Sequence, residues 1–256
     1  MTMLSERCYI CGDDLLEVPS GHSGPLLAKH RTRDHVPPDG LFLPPKPSNL
    51  ICAPCCNECN GQHSSFDETL RMFLSTEISC TAAGRKILVD KVFGSTLAKV
   101  RQPNFVFTVA SSMRDATIQT SEGSKDISMF TVPSDMIYPG IIRITKGLLT
   151  HFYPQYDYRN DAFDVLDIHS ATLLKKDGAL QLMIIQEIIK KTELQVRGNH
   201  DELKFWRQVE GHRGVWLLMF YGAVVFIVQH KGLAPAKRAR AKPFRPRTGL
   251  RFITYV

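Results

Sequence analysis

The spacing of the cysteines constrains this chain more than any other feature. Seven cysteines occur in 256 residues, and six of them fall before residue 60. Cys8 and Cys11 form one CxxC knuckle, and the run CAPCCNEC holds two more, Cys52 with Cys55 and Cys56 with Cys59. Zinc takes four thiolate or imidazole ligands in a tetrahedron, so two knuckles distant in sequence supply a complete site. On spacing alone, either pair in the second cluster can complete it. Cys80 stands apart and reads as a small buried apolar residue. No apolar leader follows Met1, and the longest apolar run, 215–228, is too short to span a bilayer and is broken by Tyr221-Gly222. The expectation is a cytoplasmic protein without membrane association, its cysteines binding metal rather than forming disulfides.

A strand is expected to end at Asp34-His35-Val36, stopped by Pro37-Pro38, with a second short strand at Asn49-Leu50-Ile51. Ser64 or Ser65 is a reasonable cap for a helix carrying Phe66, Leu70, Met72, Phe73 and Leu74. Residues 81–100 also have helical spacing, weakened by Gly94. Near Pro103 the pattern changes: 105–109, 117–120 and 127–132 read as strands, the last two forming a hairpin. Helices are expected over 135–150, where Gly140 is a cost, and over 179–191. Strands at 203–209, 215–220 and 223–228 follow. Trp206, Trp216, Phe205 and Tyr221 are expected in that sheet's core rather than stacked on bases.

Between the knuckles lies Asp34-His35, behind the basic run 29–33. Hydrolysis of a phosphodiester needs a base to activate water and a hard cation to offset charge on the phosphate. A neutral imidazole can be the base, and a carboxylate or an Asn carbonyl oxygen can hold Mg²⁺. Asn60 directly follows Cys59. The order CxxC, DH, N, CxxCN, with its continuation through Ser65 to Asp67-Glu68, resembles the HNH endonucleases with a zinc-stapled ββα-metal core, in their phage junction-resolving branch. The resemblance implies a metal-dependent DNA endonuclease. It assigns His35 as general base, Asp34 and Asn60 as Mg²⁺ ligands, and Asn49 as the middle Asn that orients the loop and base. It also selects Cys56 and Cys59, with Cys8 and Cys11, as ligands of a structural Zn²⁺. Two departures stand out: the extra Cys52 and Cys55, and His63 where a lysine is typical, which adds a further metal or phosphate contact.

The fold expected on these grounds is α+β. A zinc-bound HNH domain with trailing helices covers 1–102, a mixed α/β domain with antiparallel hairpins covers 103–230, and a basic tail covers 231–256. Net charge is +7, yet eight Lys or Arg and no acid lie beyond His230, so the first 230 residues carry −1. Such a tail suits phosphate contact, and Arg238 and Arg240, with Arg31 and Arg33, are the candidate DNA-binding residues. A solubilising end is the plainer reading of the tail. No phosphate-cradling glycine loop is present, which argues against an NTPase. Two alternatives to a self-sufficient nuclease are a non-catalytic zinc-ribbon protein gripping nucleic acid, and a nuclease subunit of a phage-defence complex activated by a protein partner.

Overall fold

The computed structural model describes residues 6–76, 81–90, 103–120, 123–168, 178–198, 202–233 and 250–254. The chain is mixed α+β, all of its described strand pairings are antiparallel, and a cysteine cluster lies near the N-terminus.

Strands β1 (Arg31–Val36) and β2 (Ile51–Cys56) pair in a ribbon with Asp34 opposite Ala53 and His35 opposite Cys52. Helix α1 (Asn57–Ser75) follows β2 without a loop. Two expectations are corrected here. The second strand begins at Ile51 and consumes most of the cysteine run, because its alternation buries Ile51, Ala53 and Cys55 and exposes Cys52. The helix, plausible in the sequence from Cys56 onward, starts at Asn57 and is capped not by Ser64 or Ser65 but by Cys56, whose sulfur accepts from the Cys59 amide at 3.4 Å. Ser64 is a helical residue bonded back to the Gly61 carbonyl.

Helix α2 (Ala82–Ile87) covers the first part of 81–100; what lies beyond residue 90, and Cys80, fall outside the described residues. Residues 105–109, expected as a strand, belong to helix α3 (Pro103–Ser112). Pro103 at the first helical position is pre-set for that conformation and lacks only an amide hydrogen that has no partner within the helix. The strand-like composition of FVFTVA therefore yields to a local start signal. Strands β3 (Arg114–Thr120) and β4 (Gly123–Val132) form the expected hairpin, joined at the other edge of β4 by β10 (Leu250–Thr254).

Helix α4 (Ser134–Phe152) buries Ile137, Ile141, Ile144, Leu148 and Leu149. It packs against α1, β1, β2, β5 (Asp161–Ile168) and β9 (Val224–Leu233), so it is the element shared by the two halves of the chain. Two glycines permit the approach. A Cβ on Gly140 would stand 3.3 Å from Leu70 Cδ2, and one on Gly147 would stand 2.5 Å from Val36 Cγ2. Helix α5 (Gly178–Lys191), β6 (Gln195–Arg197), β7 (Leu203–Glu210) and β8 (Arg213–Phe220) follow, the large sheet running β5-β9-β8-β7-β6. Trp216, Phe205 and Tyr221 are fully buried and Trp206 nearly so, as expected of a sheet core. Tyr221, at φ 49°, is fixed by its hydroxyl donating to the Leu41 carbonyl at 2.8 Å. One apolar cluster runs from Cys8 and Phe73 through Ile144 to Phe226, joining residues before and after 103. Among the described residues, no helix is long and apolar enough to cross a membrane.

Candidate metal centre

Four sulfurs converge, those of Cys8, Cys11, Cys56 and Cys59, all within 4.8 Å of one another. A tetrahedron with Zn–S bonds of about 2.3 Å sets its sulfurs about 3.8 Å apart, and Cys11 and Cys56 are already 3.9 Å apart. Both knuckles are shaped locally. Gly12 closes the first at φ 81°, with its amide bonded to the Cys8 carbonyl at 2.8 Å, and the start of α1 shapes the second. Burial pushes the Cys11 thiol up to about 11 and raises that of Cys59 too, while contact with Cys55 draws Cys8 down to about 3. Thiols crowded together in this way resist shared ionisation unless a cation joins them. The donor set therefore fits a metal such as zinc, with all four positions filled and none left for a substrate.

The two remaining cysteines of the run take no part in this group. Cys52 is exposed on the outer face of β2. Cys55 is fully buried and 3.9 Å from Cys8, as a fifth sulfur behind the group.

Adjoining the sulfurs, between β1 and α1, is a polar cluster. Strand alternation turns Thr32, Asp34 and Val36 inward and Arg33 and His35 outward. Thus Asp34 is 4% exposed, whereas His35 lies on the outer face across from Cys52. On α1, Asn60, His63 and Asp67 recur at intervals of three and four, on one stripe that continues as Leu70 and Leu74. The Asn60 amide donates to Thr32 Oγ1 at 3.3 Å, and that hydroxyl donates to the Cys55 carbonyl at 2.9 Å. His63 holds a buried Nδ1 without a hydrogen-bond partner, and burial lowers its proton affinity.

Arg143, from the middle of α4, enters this cluster. Its Nη2 and Nε donate to the two oxygens of Asp34 at 2.5 and 3.0 Å, and its Nη1 donates to Asp67 at 2.5 Å. Tyr9, inside the first knuckle, donates its hydroxyl to Asp34 Oδ2 and accepts from Arg143 Nε at 3.3 Å. Both carboxylate oxygens of Asp34 are therefore engaged. Burial pushes the Asp67 carboxyl up to about 6 despite the guanidinium beside it, and pushes the Tyr9 hydroxyl up as well.

Of the residues expected at a Mg²⁺ site, Asp34 and Asn60 share the space between strand and helix, with His63 on the same helix stripe. His35 is next in sequence but faces the other way. Asn49 is exposed on the turn before β2. Arg31 is ion-paired with Glu6 at 2.5 Å and Glu17 at 3.4 Å, while Arg33 is exposed beside His35. Arg238 and Arg240 lie outside the described residues, and Lys231, at the start of the tail, is ion-paired with Asp164. Tyr9 and Arg143 were not singled out from sequence. Arg143 did leave a signal, as a charge inside the apolar stripe Ile137, Ile141, Ile144, Leu148, where burial demands an anionic partner. Comparison with known protein families, curated proteins and solved structures finds no match to this chain.

Proposed function

We propose that this protein is a metal-dependent endonuclease of the HNH type, built on a zinc-stapled ββα core, that hydrolyses DNA phosphodiester bonds. The observation that carries the reading is the junction of β2 and α1. Because the helix begins at Asn57, the side chain of Asn60 reaches Thr32 on the strand face that also carries Asp34. A carboxylate and a carboxamide oxygen donor thereby share one space, with the orphaned Nδ1 of His63 on the same helix stripe. Oxygen donors of this kind suit Mg²⁺. The ion held by Asp34 and Asn60 would supply positive charge against the phosphate and the leaving 3′ oxygen. By the resemblance His35 is the base that takes the proton from the attacking water; as folded it lies on the outer face with Arg33, opposite Asp34, so this role requires the end of β1 to turn His35 toward the ion. The zinc group holds the ends of both segments and performs no chemistry.

Plasmid cleavage with Mg²⁺, against an EDTA control, tests this. His35→Ala should lower the rate by about 10² to 10⁴-fold while the fold and zinc content stay unchanged. Wild-type rates in that variant would defeat the assignment.

A second reading, a zinc-ribbon protein that binds nucleic acid without cleaving it, is favoured by the saturation of Asp34 by Arg143 and Tyr9 and by the outward direction of His35. Salt-dependent DNA binding with no cleavage in Mg²⁺ or Mn²⁺, alone or in complex with its partners, would decide for it.

A further inference from the structure

Arg143 is the most deeply committed cation among the described residues: its side chain is 5% exposed, as is that of Asp34, and it joins Asp34 to Asp67 across 109 and 76 positions of sequence. A guanidinium keeps its proton under all ordinary conditions and presents a planar fork to a carboxylate. Here the fork takes both oxygens of Asp34, and a third nitrogen takes Asp67. That is the charge, the position and nearly the ligand set a small hard cation would claim between β1 and α1. With three donors on its two oxygens, Asp34 keeps at most one open lone-pair site, and a divalent ion there would stand against the guanidinium charge.

We infer that Arg143 is an internal cation that competes with a divalent metal ion for Asp34, so that the chain as folded is locked against the ion until the guanidinium is drawn away. The inference rests on the reading of Asp34 as the divalent ligand. The asymmetry of the two carboxylates gives the lock a direction of travel. Asp34 is enclosed, but Asp67 is a quarter exposed, toward the rim of the cluster. When an ion takes Asp34, Arg143 stays anchored to Asp67 through Nη1, and its Nε and Nη2 are left free to meet an anion. A phosphodiester oxygen is the partner such a fork fits. Metal and phosphate therefore open the lock together, each taking one half of the Asp34–Arg143 pair.

The experiment is a titration of the zinc-loaded full chain with Mn²⁺, reading free Mn²⁺ by electron paramagnetic resonance and thermal unfolding in parallel. Removing a bidentate charge-assisted pair should tighten Mn²⁺ binding by about tenfold or more in Arg143→Met. Mn²⁺ should also raise the unfolding temperature of that variant more than that of wild type. Arg143→Lys keeps the charge but loses the fork; it should fall between the two, and it decides the matter if Arg143→Met does not fold. Asp34→Asn in the Arg143→Met or Arg143→Lys background should return binding to the weak level. Unchanged Mn²⁺ affinity in the folded Arg143 variants overturns the lock, and so does tight binding that survives Asp34→Asn. Cleavage is not read in this titration. Tight Mn²⁺ binding in the variants beside a wild type that never cuts DNA supports the lock and counts against the nuclease, whereas unchanged binding in variants of a wild type that cuts overturns the lock alone.

Discussion

Gly147→Ala places one methyl group at the contact between α4 and β1. The added Cβ would stand 2.5 and 2.8 Å from the two methyls of Val36 and 3.1 Å from its Cβ. Carbon atoms pack best about 3.5 to 4.0 Å apart, so the helix or the strand has to give way by on the order of 1 Å. Val36 has no escape by rotation, since both of its methyls and its Cβ are involved, and it is 1% exposed in a strand paired with Ile51. Overpacking of this kind costs about 1–3 kcal/mol, and the shortness of these contacts argues for the upper part of that range. Alanine returns about 1 kcal/mol of helix propensity relative to glycine. The net expectation is a loss of about 1–2 kcal/mol, read from urea unfolding of the zinc-loaded protein. Gly61→Ala is the internal control: it lies within α1 with nothing inside 4 Å of a new Cβ, so it should stabilise by about the propensity difference alone. The clash is specific to Val36, so Gly147→Ala and Val36→Ala should be non-additive, the pair retaining more stability than the two losses summed. Neutral or stabilising behaviour of Gly147→Ala, or simple additivity of the pair, would refute this account of how α4 docks. Arg143 lies one helical turn before Gly147, so the same displacement should loosen its hold on Asp34.

Two further expectations concern the adjoining clusters. Cys56→Ala should lose zinc and unfold at lower temperature, whereas Cys52→Ala, at an exposed strand position outside the sulfur group, should keep one zinc per chain by elemental analysis; equal zinc in both would dissolve the assignment of the four ligands. Asp67 titrates at about 6 when folded, mainly because burial disfavours its charge, against 3.8 unperturbed. The folded chain thus binds this proton more tightly than the unfolded chain, and the associated stability is present below about pH 4 and lost as pH rises through about 6. The full shift corresponds to at most about 3 kcal/mol, and less in practice because the side chain is 25% exposed. Asp67→Asn should flatten that part of the pH profile, and an undiminished slope between pH 4 and 6 would refute it.

Much of the local structure was legible from residues alone. The strand ending at Val36, the pairing of β3 with β4, the helix over α4 and the buried strands from residue 203 on follow from periodicity and turn chemistry, which act over a few residues. The departures also have local causes. The run CAPCCNEC read as two possible knuckles, and its first half alternates as a strand while its second half opens a helix. FVFTVA has strand composition, and Pro103 makes it a helix. Gly140 and Gly147, a cost to the isolated helix, are the two positions at which α4 meets Leu70 and Val36.

By itself, the sequence determined that zinc-type ligands come in CxxC knuckles, that a short strand ends at Val36, and that the chain is mixed α+β. Alternation and CxxC spacing are short-range geometry, and they hold wherever the segment ends up. Spacing left both pairs of the run open and the resemblance selected Cys56 and Cys59, the two that the tertiary structure brings to Cys8 and Cys11. The tertiary structure alone decided that Asp34 is gripped by Tyr9 and Arg143. The grip of Arg143 on Asp34 depends on how closely α4 can approach α1 and β1, where Gly140 and Gly147 leave room on a helix more than a hundred residues from Asp34 in sequence.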